Sequence, residues 1–145
     1  MGIRGGFTEI SPTAFEQISR GKEPDTSRGK RHFIDKAWHD FHAVFSRLEH
    51  PLNLVIAGDC LHPQSPHSFQ EFCAGGHDFF AGFMSPMLVR EIAEALLALS
   101  PQQLKHWYDE LGVGGYDRNF YLFNELKAAY VEAADHGNAL IILIA

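Results

Sequence analysis

The sequence has few of the features that would quickly assign it to a functional class. It contains only two cysteines in 145 residues, too few for a disulfide framework in a chain long enough to bury its own core. Its longest apolar run, residues 139–145, is far too short to cross a membrane. The first residues lack an apolar stretch after a basic start, which predicts no signal peptide and a cytoplasmic protein.

Basic charge and catalytic sequence motifs are also scarce. The net charge is −6 with histidine counted as neutral, whereas a general nucleic-acid binder needs a basic face. There is no G-x-S-x-G elbow, no G-x-x-x-x-G-K-[ST] phosphate loop and no H-E-x-x-H zinc pair. We therefore expect no nucleic-acid partner and no membrane partner. The composition, 46% hydrophobic and 21% charged, is typical of one globular domain and predicts a single domain over residues 1–145.

Helix starts are clearly marked along the chain. A serine followed by proline at positions 11, 85 and 100 is typical of an N-cap with proline in the first helical turn. Two further helices are predicted from about Phe33 to Glu49 and from about Asn119 to Asp135, because apolar residues recur there at helical spacing.

Strand signals lie at the two ends of the sequence. The run from Ala139 to Ile144 is continuously apolar, which predicts a fully buried strand rather than a half-exposed one. Its backbone needs hydrogen-bonding partners, and the segment from Gly2 to Ile10 is the natural candidate. Phe79–Met84 and Leu52–Ala57 are weaker candidates, the latter nearly as compatible with a helical turn. The predicted fold class is α+β, with helices packed around a small sheet that includes the N-terminal and C-terminal strands.

Histidine is abundant, with nine residues, and one group lies on the predicted Phe33–Glu49 helix. At about 100° per residue, Asp35, His39 and His42 fall within about 60° of one another. A carboxylate and two imidazoles on one helical face can bind a metal or transfer a proton. The alternative is that His42 is a boundary histidine beside the core and that Asp35 pairs locally with His39.

A second group combines cysteine with histidine in a segment rich in glycine and proline. Its members are Cys60, His62, Cys73 and His77. These ligand types suit zinc, and together they would form a closed structural site. The spacing matches no common zinc pattern, because the paired C-x2-C element is missing. We therefore expect no cofactor, with zinc at these four residues as the alternative.

Several segments resemble a known family. They are Met1-Gly2-Ile3-Arg4-Gly5, the D-K-x-W-H-x-x-H pattern of residues 35–42, Met84-Ser85-Pro86 with the helix that follows, and the closing helix with its apolar strand. In this order, over nearly the whole chain, they resemble the YfbM-like family, small bacterial proteins classed as a domain of unknown function.

The resemblance implies an α+β fold and supplies no activity. It implies that a shared site, if the family has one, lies at the matching positions Asp35, Lys36, Trp38, His39 and His42. The segment containing Cys60 and His77 departs from the glycine-rich loop usual in that family, so a metal site there would be particular to this chain.

Two functions from different classes follow from the sequence. The favoured one is a non-catalytic module that binds another protein; one version is an inhibitor or immunity-type protein whose acidic surface neutralises a basic target. The alternative is a small metal-dependent hydrolase that uses Asp35, His39 and His42, with Asp59 or His62 added from the loop. The sequence does not settle whether the protein is an enzyme, although the lack of a catalytic motif favours binding. It does not set the oligomeric state.

Overall fold

The computed structural model describes residues 4–22, 29–61, 68–75, 79–112, 114 and 116–145. The strands in these segments are β1 (Gly5–Ile10), β2 (Arg31–Asp35), β3 (Cys60–Leu61), β4 (Phe80–Met84) and β5 (Ala139–Ile144). The helices are α1 (Pro12–Ser19), α2 (Ala37–Phe45), α3 (Phe69–Cys73), α4 (Pro86–Ala98), α5 (Pro101–Leu111) and α6 (Tyr116–Asp135). The predicted α+β class is confirmed.

The strands form one five-stranded antiparallel sheet in the order β2-β1-β5-β4-β3. β5 lies at its centre, where Ile142 pairs with Phe7 of β1 on one side and with Gly82 of β4 on the other. The predicted pairing of the N-terminal and C-terminal strands is therefore confirmed, as is the strand near Phe79–Met84. The Leu52–Ala57 segment forms no strand and contains a 3-10 turn over Leu52–Leu54.

The predicted helix starts are confirmed by their capping hydrogen bonds. Each of the three serines accepts a hydrogen bond from the backbone N–H three residues later, at 3.1 Å for Ser11, 3.3 Å for Ser85 and 3.1 Å for Ser100. Each is followed by a proline in the first turn. Local sequence thus determines where α1, α4 and α5 begin.

The predicted helix from Phe33 is wrong at its beginning. Residues 31–35 form β2, in which His32 and Ile34 are buried and Arg31, Phe33 and Asp35 are exposed. This alternation is the period of a strand, and it prevails over the helical spacing that continues into α2. Asp35 then adopts a left-handed conformation, with φ of 49°, which turns the chain from the strand into α2.

The two sides of the sheet are covered unequally. On one side Phe7, Phe80 and Ile142 belong to the main core beneath α2, α4 and α6. On the other side α1 packs Phe15 against Phe83, with ring centroids 5.3 Å apart, and covers only that end of the sheet. β5 is therefore not fully buried as predicted: Ile142 is inaccessible, whereas Leu143 is 50% exposed. Among the described residues no helix is long and apolar enough to cross a membrane.

Candidate functional site

The structure separates the residues of the predicted histidine face. Asp35 ends β2 instead of lying on α2, and its Oδ1 is 3.1 Å from Nε of Arg4. His39 is exposed on α2, and its Nδ1 lies 3.9 Å from Oδ1 of Asp40. The prediction of one helical face shared by Asp35 and both histidines is therefore wrong, and so is the local pair of Asp35 with His39.

His42 and Trp38 line the core rather than a cleft. The His42 ring packs against the Phe69 ring with centroids 4.6 Å apart. Burial, and then the nearby His39, lower the pKa of His42, which favours a neutral imidazole. Trp38 is nearly buried and packs against Phe69 and Phe72 at 6.2 and 5.8 Å. This placement agrees with the boundary-histidine alternative. Lys36 is exposed immediately before α2.

Half of the predicted zinc set can be placed. Cys60 lies in β3 and Cys73 ends α3, while His62 and His77 lie outside the described residues. Burial raises the pKa of both thiols, and Asp59 raises that of Cys60 further, so neither has the depressed pKa of a reactive thiolate. Within the described segments no three histidine, cysteine or carboxylate side chains are placed to hold a metal ion. The four-residue zinc set stays a prediction.

Asp59, which the hydrolase alternative adds as a catalytic group, makes structural hydrogen bonds. Its two carboxylate oxygens accept hydrogen bonds from the backbone N–H of Ser85 at 2.9 Å and from the Ser85 hydroxyl at 2.6 Å. Ser85 in turn caps α4. Asp59 therefore helps to fix the start of that helix.

Sequence reasoning did not single out His32 on β2, which has more carboxylate contacts than any other histidine among the described residues. Its ring is 5% exposed, with Nδ1 3.2 Å from Glu125 and Nε2 3.0 Å from Glu132, both on α6. Lys30 also binds Glu132, at 2.7 Å. Both ring nitrogens thus lie within hydrogen-bonding distance of a carboxylate. The arrangement ties β2 to α6.

A shallow groove of about 570 Å³ lies on the side of the sheet opposite α6. We call this surface the open face and define it by Phe33, Phe79, Ala81, Leu143 and the two bordering residues Arg4 and Arg31. Phe33 is 65% exposed, Leu143 50% and Phe79 38%. The open face is therefore an apolar surface with two cations at its border.

A second groove, of about 470 Å³, follows the outer edge of β2. Its strand side is formed by Arg31, Phe33 and Asp35, and its helix side includes Tyr121 and Leu122 of α6. Phe33 and Arg31 belong to both grooves, so the open face continues around the edge of the sheet.

Comparison with known proteins places the fold in a family. Residues 1–112 match the model of a family described as a domain of unknown function, DUF1877. The chain belongs to this family. It is also similar in structure to YfbM from Escherichia coli, a protein of unknown function, at 20% sequence identity over 98% of this chain and 99% of that chain, with a TM-score of 0.63. The resemblance to YfbM-like proteins is thereby confirmed.

These comparisons establish the fold and supply no activity. At 20% identity the likeness to YfbM concerns the fold alone. No curated protein matches the chain. A function for this domain therefore has to be argued from its surfaces.

Proposed function

We propose that this chain is a non-catalytic protein-binding module whose open face contacts the partner. The observation that carries the proposal is the pattern of β5. A strand that is apolar at every position is typical of a sheet covered on both sides, yet Leu143 is half exposed beside Phe33 and Phe79. Exposed apolar side chains that adjoin in one groove, rather than lying singly on the surface, are typical of a binding surface.

The charges around the open face favour an acidic partner. Arg31 and Arg4, the latter paired with Asp35, lie at its border, although the whole chain has a net charge of −6. Complementary charge at the border of an apolar contact accelerates association and selects the partner. The proposed partner is a protein segment that carries apolar side chains flanked by carboxylates. The inhibitor or immunity-type version, in which this chain's acidic surface meets a basic target, would use a different surface and stays a prediction.

The geometry gives less support to a metal-dependent hydrolase. A hydrolase needs convergent polar groups around a substrate, but Asp35 is bound by Arg4 and Asp59 by Ser85, while His42 packs against Phe69. The described residues that line the open face include no histidine, cysteine, aspartate or glutamate side chain. Binding therefore has better support than catalysis.

The test uses two fluorescent peptides that alternate valine with glutamate or valine with lysine. Fluorescence anisotropy should show binding of the glutamate peptide and much weaker binding of the lysine peptide. Phe33→Ser should weaken the first interaction by about tenfold or more, as expected for a central aromatic contact. Met87→Ser is the matched control, because Met87 is 64% exposed but lies on α4.

Three results would overturn the proposal. They are no binding of the glutamate peptide at millimolar concentration, equal affinity for both peptides, and an effect of Met87→Ser as large as that of Phe33→Ser.

A further inference from the structure

We propose that β2 pairs with β2 of a second copy of this chain, antiparallel about a twofold axis at Phe33. The two five-stranded sheets then become one continuous sheet, and the two open faces lie side by side. This inference goes beyond the proposed function, because it names a second partner. The pairing uses Phe33 and Arg31 of the open face and leaves Phe79, Ala81 and Leu143 accessible to the first partner.

The outer edge of β2 is available for such pairing. Among the described residues, β2 is the last strand of the sheet and pairs with β1 alone. In an antiparallel pair of strands, every second residue points its backbone N–H and C=O away from the neighbouring strand. The hydrogen bond from the Glu9 N–H to the Lys30 carbonyl oxygen, at 2.9 Å, shows that Lys30 points its carbonyl towards β1. The residues that point away therefore begin with the next one. Arg31 and Phe33 are those residues. Within the described segments no backbone hydrogen bond satisfies their outward groups.

Charge selects one register for the pairing. Read along the exposed side of β2, Arg31, Phe33 and Asp35 present a cation, an aromatic ring and an anion. This order is self-complementary when reversed, so pairing centred on Phe33 places each Arg31 opposite Asp35 of the other copy. A slip of two residues would place Arg31 opposite Phe33 and lose both ion pairs. Opposite charges across a strand pair are stabilising, and like charges are destabilising.

The local geometry of Asp35 suits a side-chain contact. The register of β1 with β2 shifts between Gly5 and Gly6, and Asp35 is left-handed with φ of 49°. The strand therefore bends away after Phe33, and the Arg31–Asp35 contacts form between side chains at the ends of the pairing. Arg4 contacts Oδ1 of Asp35, which leaves Oδ2 for the second copy's arginine.

Side chains on both sides of β2 enlarge the interface. A stable protein interface buries about 1,200 Å² or more, which a pair of short strands cannot provide alone. The groove at this edge includes Tyr121, 69% exposed, and Leu122 of α6. On pairing, α6 of each copy flanks the joint on one side of the sheet, and the two Phe33 rings meet on the other. His32, bound to α6 through Glu125 and Glu132, holds the edge in place before binding.

The experiment uses two charge-reversal variants, Arg31→Glu and Asp35→Lys, and analytical ultracentrifugation from micromolar to millimolar concentration. The wild-type chain should form a dimer in this range. Each variant alone places two like-charged pairs across the joint, and its dimerisation should weaken by about tenfold or more. In an equimolar mixture, the introduced glutamate meets the introduced lysine and Asp35 meets Arg31. The mixture should therefore recover the dimer.

One matched control tests the effect of net charge, a third variant tests the contact at the twofold axis, and circular dichroism tests for misfolding. Arg47→Glu makes the same charge change at an exposed position after α2 and should dimerise like the wild-type chain. Phe33→Asp places two carboxylates at the twofold axis and should be monomeric. Circular dichroism should show folded protein for every variant.

The dimer proposal fails if the wild-type chain stays monomeric at millimolar concentration, if either single variant dimerises normally, or if the mixture stays monomeric. Failure here while the glutamate peptide still binds would leave the proposed function intact. A dimer at high concentration, together with no peptide binding at concentrations where the chain is monomeric, would reject the proposed function alone.

Discussion

The two sides of the sheet are made from alternate residues of the same strands, yet they have different surroundings. Ile142 and Ile144 are fully buried beneath the large helices. Leu143, between them, is 50% exposed because α1 reaches only one end of the opposite side. Two residues of similar hydrophobicity thus differ in whether the chain itself covers them. Under the proposed function, a partner would cover the second side.

The largest expected effect is the loss of stability on truncating a residue on the covered side of the sheet, compared with its neighbour on the open side. Ile142→Ala should lower the free energy of unfolding by about 3 kcal/mol, because it removes buried methyl groups and leaves a cavity. Leu143→Ala should cost less than about 1 kcal/mol, since a half-exposed side chain loses fewer contacts. Urea unfolding measures both. Equal losses would show that the two sides of the sheet are covered alike.

The second prediction compares His32 on β2 with His39 on α2. His32→Ala should destabilise the protein by about 2 kcal/mol, because it removes a buried ring whose two nitrogens contact carboxylates and tie β2 to α6. His39→Ala should change stability by less than about 0.5 kcal/mol, since His39 is exposed. The same urea experiment applies. If His32→Ala left the free energy of unfolding unchanged, β2 would not depend on this link to α6.

The smallest effect concerns pH and two histidines with opposite pKa shifts. Burial lowers the pKa of His42 below 6.5, so the unfolded chain binds more protons and stability falls as pH falls below that value. The Glu9 carboxylate, 2.7 Å from Nδ1 of His136, raises the pKa of that imidazole. Its stabilising contribution is present below pH 6.5 and is lost as pH rises through the raised pKa.

Unfolding measured across this pH range separates the two contributions. His42→Gln should reduce the loss of stability on acidification, whereas His136→Gln should reduce the loss on the alkaline side. The assignments would be wrong if the two variants had the same pH dependence as the wild-type chain.

The parts of the fold that depend on local sequence were predictable. Serine-proline pairs start three helices, and the short apolar run at 139–144 identifies β5. β2 was missed because only five residues alternate before an apolar helix begins, so the helical spacing of α2 extends backwards over them. A left-handed aspartate, rather than a glycine, separates the two elements.

The candidate site was less predictable because it depends on which elements cover others. The pattern of β5 is equally apolar on both sides, so nothing local distinguishes Leu143 from Ile142. Likewise, His32 meets two glutamates from a helix near the other end of the sequence, a pairing without characteristic spacing. The motif residues His39, His42 and Trp38 were visible in the sequence, but they lie on α2, away from the open face.

The central position of β5 also determines how the sheet assembles during synthesis. Of the elements described, β5 is made last, yet it alone joins β1 to β4. Until it is made, the chain holds two separate strand pairs, β1 with β2 and β3 with β4. Such distant pairings slow folding and leave strand edges exposed to other chains meanwhile. A ribosome-bound chain that stops before Ala139 should therefore lack the five-stranded sheet and can form at most the two separate strand pairs.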